Sequence, residues 1–486
     1  MSETAGAVEA QSRLVLTSHP LQRVGAYALA ALSGEKTIPE NLSSEGFTRA
    51  TGLVVGYAEQ AALRESKEAD GFWQKTSLSF FPNAPMNHPS RRKGKTKFGR
   101  VKTDADVREA VRSWLRMPDA ADWPAADCVL CGRQSVGFFG KRDVALAESE
   151  AYRNTTPRGH EGMSLCWPCL FCFYSLPYGS QLTGGSSIAL HSWDERFLRR
   201  TVPRQVSHNL KLAMTGDATR KQVEVRGVVA LRSLRSCGER LTDGVELLVF
   251  NNNNRGQLLE SHSLQQPLAE WLRRTCRIAE RRRGFTALVR AHAGKETPGV
   301  VGLARNAFRA PTRIVASGVH YLAASVSGLS PDPAEAADLA ELLFSFATEV
   351  MQVNEKDLSE IRTTSRKIAS LLAEETGWGG LREFRVKLRN PRQLRGWLTS
   401  RAIAWAGRDH QGHEGPLVSE RAFVLLFDPG QDNPSWFHRD LLLVGVLEEL
   451  SRLEWRAKGD EVSADVLAEL DAEDRKFISN DTEDEQ

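Results

Sequence analysis

The chain of 486 residues is longer than one hydrophobic core usually organises, and its 41% hydrophobic and 26% charged composition is that of an ordinary globular protein, so two or three domains are expected. No stretch approaches the roughly 18 consecutive apolar residues of a membrane helix, and the N-terminus lacks the basic, apolar and small-residue succession of a secretory leader; together these point to a cytoplasmic protein without membrane partners. The formal charge of +3 is uneven: residues 460–486 hold eleven acidic side chains against Arg475 and Lys476, a net of −9, leaving about +12 on the other 459 residues and favouring a polyanionic partner.

Pro20 to Leu32 reads as a short apolar helix opened by Ser18, and a second apolar stretch follows from Leu53 to Leu63. From Leu78 to Pro85 the residues alternate and carry aromatics and prolines, the pattern of a strand running into an exposed loop that bears Asn83 and Asn87. Arg91, Arg92, Lys93, Lys95, Lys97, Arg100 and Lys102 then place seven cations in twelve residues with no acid among them, a candidate phosphate-binding tract. Residues 104–116 have helical character.

Two C-x-x-C knuckles follow, Cys128/Cys131 and Cys166/Cys169, separated by 34 residues. Seven cysteines in a chain without an export signal favour thiolate ligation over a disulfide framework, and four thiolates suit tetrahedral zinc. Gly132 can take the positive φ that closes such a turn. Cys172 is a third thiol beside the second knuckle, so a pairing that uses it stays open, with His160 a weaker substitute. A full thiolate set leaves no position for a reacting water, so a structural ion stapling a loop-rich module from 128 to 193 is expected.

Val223 to Leu231 and Val245 to Phe250 are β-branched segments that suggest a hairpin or a small sheet, and the Asn251 to Asn254 run with Arg255 makes Asn252, Asn253 and Arg255 candidates for nucleic-acid contact. Leu268, Leu272, Cys276 and Ala279 recur at helical spacing, with Arg273, Arg274, Arg277, Arg281, Arg282 and Arg283 on or just past the other faces: an amphipathic basic helix. A second basic region holds Arg385, Arg389 and Arg392. Beyond Pro333 four long helix-forming stretches, Ala334 to Val350, Glu355 to Glu374, Arg392 to Trp405 and Trp436 to Ala457, predict a helical bundle.

The expected fold class is α+β: an N-terminal part (1–127) with a basic loop, an inserted four-cysteine zinc module (128–193), the rest of the N-terminal domain (194–330), a C-terminal helical bundle (331–459) and an acidic tail (460–486). There is no phosphate-binding P-loop, no H-E-x-x-H helix and no nucleophile elbow. His191 with Asp194, or His410 and His413 with Asp409, could be drawn as a metal-dependent nuclease site, and a zinc-stapled protein scaffold is a further alternative.

Three blocks together resemble the large subunit of the type I CRISPR interference complex Cascade, specifically the Cas-eight group of subtype I-B. They are Phe80 to Pro89, the cysteine block from Cys128 through Cys169 to Leu176-Pro177 and His191-Ser192-Trp193, and Trp436 to Leu443. They span most of the length discontinuously, and the cysteine block is the distinctive one. Cys172 and the long acidic tail depart from the family pattern. The resemblance implies a non-enzymatic subunit that helps recognise the protospacer-adjacent motif, stabilises the R-loop and positions the nuclease-helicase. Its implied partners are target double-stranded and displaced single-stranded DNA, the guide RNA and the backbone subunits.

Overall fold

The computed structural model describes residues 11–63, 72–82, 84–85, 102–147, 162–182, 186–215, 226–253, 256–326, 333–375, 377–407, 415–430 and 433–455. The chain forms two compact units, Met1–Ala269 and Glu270–Gln486. It mixes helices with short antiparallel sheets, as an α+β reading requires. The division falls well before the boundary expected near residue 330, so the second unit takes in helices that the sequence reading gave to the N-terminal domain.

In the first unit the helices are α1 (Pro20–Leu32), α2 (Ser44–Leu63), α3 (Phe72–Phe80), α4 (Asp104–Trp114), α5 (Trp167–Gly179), α6 (Glu195–Thr215) and α7 (Arg226–Ser236). Helix α1 begins at Pro20, whose missing N–H is no loss in a first turn, and its cap is His19 rather than Ser18: the ring Nδ1 accepts from Gln22 N. Helix α5 is apolar all round and buried along its whole length, which fits a helix enclosed by its neighbours. Tyr178 in α5 accepts a hydrogen bond from Trp73 Nε1 at 2.9 Å, and Asn209 Nδ2 in α6 donates to the carbonyls of Pro177, Tyr178 and Ser180 at and just past the C-terminus of α5.

Two expected strands are helices. Residues 72–80 form α3, because Phe72, Trp73, Thr76 and Phe80 fall on one turn-spaced buried face, whereas alternation would have exposed every second residue. The stretch read as a strand from Val223 is helical from Arg226, where α7 buries Val229, Ala230, Leu231 and Leu234. The strands are β1 (Gly137–Phe139) paired antiparallel with β2 (Met163–Leu165), and a four-stranded antiparallel sheet β3 (Gln181–Leu182), β4 (Ser187–His191), β5 (Val245–Asn253) and β6 (Gly256–Leu264) in that spatial order. The expected Val245 to Phe250 strand lies within β5.

The second unit is helical. The division from the first lies inside α8 (Gln266–Arg277), followed by α9 (Arg282–Ala291), α10 (Gly299–Arg309), α11 (Arg313–Val326), α12 (Pro333–Glu349), α13 (Glu355–Ala373), α14 (Gly379–Leu388), α15 (Pro391–Ala406), α16 (Glu420–Phe427) and α17 (Ser435–Arg452). The four long helices expected after Pro333 are α12, α13, α15 and α17. At the crossing of α13 and α17, Ser365 Oγ donates to Ile361 O within its own helix and reaches Leu442 O across the contact, satisfying a buried hydroxyl between apolar faces.

Candidate metal centre and the cationic residues

The cysteine site is assembled by three local devices. The first knuckle is a tight turn in which Gly132 N donates to Cys128 O at 2.8 Å while Gly132 adopts φ +73°, a conformation that strains any residue with a Cβ. The second places Cys166 at the cap of α5 with Cys169 in its first turn, so both residues sit at the positive end of the helix dipole. The β1/β2 pairing, with Gly137 opposite Leu165, brings the two knuckles into register.

A fourth element was not visible in the sequence. The segment preceding α1 clamps both knuckle loops: Gln11 Nε2 donates to Gln134 O at 3.1 Å, and Gln11 Oε1 accepts from Trp167 N at 2.8 Å. Arg133 Nη1 donates to Arg13 O at 2.6 Å.

The four sulfurs lie within 4.8 Å of one another, with Cys131 Sγ and Cys166 Sγ 3.5 Å apart, and the set could hold a metal ion. Tetrahedral thiolates at about 2.3 Å from a central ion have edges of about 3.8 Å, so the packing is of the right scale. Hydrogen bonds with Cys128, Cys166 and Cys169 drive the Cys131 thiol far down, whereas those with Cys128, Cys131 and Cys166 drive Cys169 far up. Four such groups cannot all ionise beside one another, and a divalent cation at their centre resolves the conflict. Burial opposes the charge of Arg133, yet its hydrogen bond to Cys131 and the nearby charges of Cys166 and Cys169 raise its pKa, so it serves as the counter-charge of the cluster.

Cys172 is not a member. It lies fully buried farther along α5, its sulfur accepts from Gln22 Nε2 at 3.6 Å, and burial pushes its pKa up. His160 lies outside the described residues. The cluster is also not a separate module: Cys128, Cys166 and Cys169 belong to the same hydrophobic core as Val24, Ala28 and Phe47.

The cationic residues divide sharply. Asn83, Asn87, Arg91, Arg92, Lys93, Lys95, Lys97, Arg100 and Arg255 lie outside the described residues, while Lys102 is half-buried just before α4. Asn253 ends β5. The assignment of Asn252 to nucleic-acid contact is corrected: its side chain is fully buried, with Nδ2 donating to Phe80 O and Lys141 O and Oδ1 accepting from Gln257. Much of the basic helix is likewise bound into the second unit, with Arg273 on Glu270, Arg274 and Arg281 on Glu349, and Arg283 on Asp338. Arg385 is buried, and a buried guanidinium is no surface contact for phosphate. Arg277, Arg282, Arg389 and Arg392 are exposed.

His191 and Asp194 are part of the sheet's support. His191 Nδ1 lies 2.7 Å from Glu246 Oε2 on the neighbouring strand, with burial lowering the His191 pKa. Asp194 accepts from Arg196 and from both the backbone N and Oγ1 of Thr242. Asp409, His410 and His413 lie outside the described residues. No described helix is long and apolar enough to cross a membrane.

Compared with known proteins, the chain matches no family model, no curated protein sequence and no solved structure.

Proposed function

We propose that the chain is the large subunit of a CRISPR RNA-guided DNA surveillance complex of the Cascade type. In this role it binds target DNA, helps recognise the protospacer-adjacent motif, stabilises the R-loop and helps recruit the nuclease-helicase, without chemistry of its own. The observation that carries the reading is the cysteine cluster. Its four residues are those of the distinctive block in the resemblance, and all four thiols converge in one place.

The donor set is saturated by thiols, which supports a structural zinc ion. Exposed arginines, Arg282, Arg389 and Arg392 among them, supply candidate phosphate contacts, with Lys102 and the Arg91 to Arg100 tract as further candidates. The paired arginines of α8 and α9 are better assigned to the fold than to DNA.

The test is co-expression with the neighbouring genes and purification through this chain. Recovery of a uniform guide RNA with repeated backbone subunits is expected, and a clean monomer without RNA overturns the reading. Incubating the purified chain with magnesium or manganese and plasmid separates it from the nuclease alternative: cleavage that disappears in His191→Ala would establish an enzyme instead.

A further inference from the structure

In the second unit α15 and α16 enclose an open groove of about 380 Å³, lined by Arg392, Arg395, Phe423, Phe427 and Asp428 among others. Its chemistry is mixed. Phe423 is 39% exposed, and the Arg395 guanidinium carbon lies 5.6 Å from its ring centroid. Arg392 and Arg395 stand at the start of α15, where the first turn holds no acidic side chain and Asn390 alone caps the amides of Arg392 and Gln393. Two cations at the positive end of a helix dipole are unfavourable unless an anion faces them. Asp428 is the one carboxylate among these lining residues, and its Oδ1 accepts from Gly430 N. The groove therefore suits an occupant that is both acidic and apolar.

The chain itself carries such a segment. Val462, Val466, Leu467 and Leu470 recur at helical spacing between Asp460, Glu461, Asp465, Glu469 and Asp471, within the 460–486 stretch of net charge −9. The described chain ends beside the groove's helix: Trp455 Nε1 donates to Glu375 O at 3.1 Å, and Glu375 pairs with Arg401 of α15 at 2.7 Å. Arg395 lies six residues, about one and two-thirds helical turns, before Arg401, about 9 Å along the axis. Thirty-one residues follow Trp455, a length that extended could span on the order of 100 Å, so part of the acidic stretch can reach it.

The geometry points to the acidic segment 460–486 as the intramolecular occupant of the Arg392/Arg395/Phe423/Phe427 groove, covering cations that would otherwise be open to an external polyanion. A second copy of the chain is the competing occupant.

The test uses the full chain with a photoreactive benzoylphenylalanine at position 423, where the exposed ring tolerates replacement. Irradiation is expected to join position 423 to a peptide from 460–486 of the same chain, independent of protein concentration. The yield should fall at least fivefold in 1 M salt, in the charge reversal Arg392→Glu/Arg395→Glu, and in the neutralised variant Asp465→Asn/Glu469→Gln/Asp471→Asn. Circular dichroism confirms that each variant is folded. Chain-to-chain adducts, no adduct with 460–486, or a yield indifferent to salt and to both variants overturns the proposal. Nucleic-acid retention measured on the same samples reports on the proposed function separately, so failure of one does not decide the other.

Discussion

A Cβ added to Gly25 in α1 would lie 2.0 Å from the carbonyl oxygen of Cys172 in α5. The two helices cross backbone to backbone at this point, and only hydrogen fits between them. Gly25→Ala should force the pair apart and destabilise the chain by roughly 3 kcal/mol or more, read as a lowered urea midpoint.

Replacement of a ligand and replacement of its neighbour should part company. Cys166→Ser is expected to abolish stoichiometric zinc and to cost on the order of several kcal/mol of stability, because ion binding and folding of the site are one equilibrium. Cys172→Ser should keep the zinc and lose roughly 1 to 2 kcal/mol for a hydroxyl placed in an apolar site. Elemental analysis of both purified variants decides; equal metal loss would mean that Cys172 is a ligand after all.

Arg133 offsets the negative charge of the thiolates. Arg133→Ala should weaken zinc binding about 10- to 100-fold in a chelator competition, with Arg133→Lys recovering part of that loss. Unchanged affinity would reduce Arg133 to its hydrogen bond with Arg13 O.

Burial works against ionised Asp194, but hydrogen bonds from Arg196 and Thr242 prevail and hold its pKa at about 2. An unfolded aspartate titrates near 3.9, so the folded state gains stability of roughly 2 kcal/mol that is fully present well above pH 4 and is lost as pH falls towards 2. Asp194→Asn should flatten the fall of unfolding free energy between about pH 4 and pH 2. A parallel fall in both proteins would remove Asp194 from the account.

Asn252 should behave as a core residue. Asn252→Ala leaves Phe80 O and Lys141 O without their donor and is expected to destabilise by about 1 to 3 kcal/mol, with nucleic-acid retention per folded molecule unchanged. Loss of retention at full stability would return it to the interface.

Long helices and the four ligands were legible because each rests on a local rule: turn-spaced apolar residues in α13 and α17, and the two C-x-x-C turns with Gly132. Of the strands expected from Leu78 and from Val223, residues 78–80 and 226–231 are helical, because the β preferences of Phe80, Val228 and Val229 are overridden when their helices pack against β5. Arg274, Arg281 and Arg283 read as free cations because their carboxylates come from far along the chain, Glu349 lying 75 residues from Arg274. Likewise Gln11 is 156 residues from Trp167, a pairing that no spacing rule could anticipate. The sequence does carry one hint of Arg133: it directly follows the first knuckle, where its guanidinium can turn back on the sulfurs.

Cys128, Cys166 and Cys169 are buried in the apolar interior that α1 shares, whereas Cys131 is only half-buried. A scavenging ligand in solution would therefore meet a metal held at this site from the Cys131 side, without waiting for α1 and α5 to separate. The rate of extraction should rise with scavenger concentration and pass the opening frequency that amide hydrogen exchange reports for those helices.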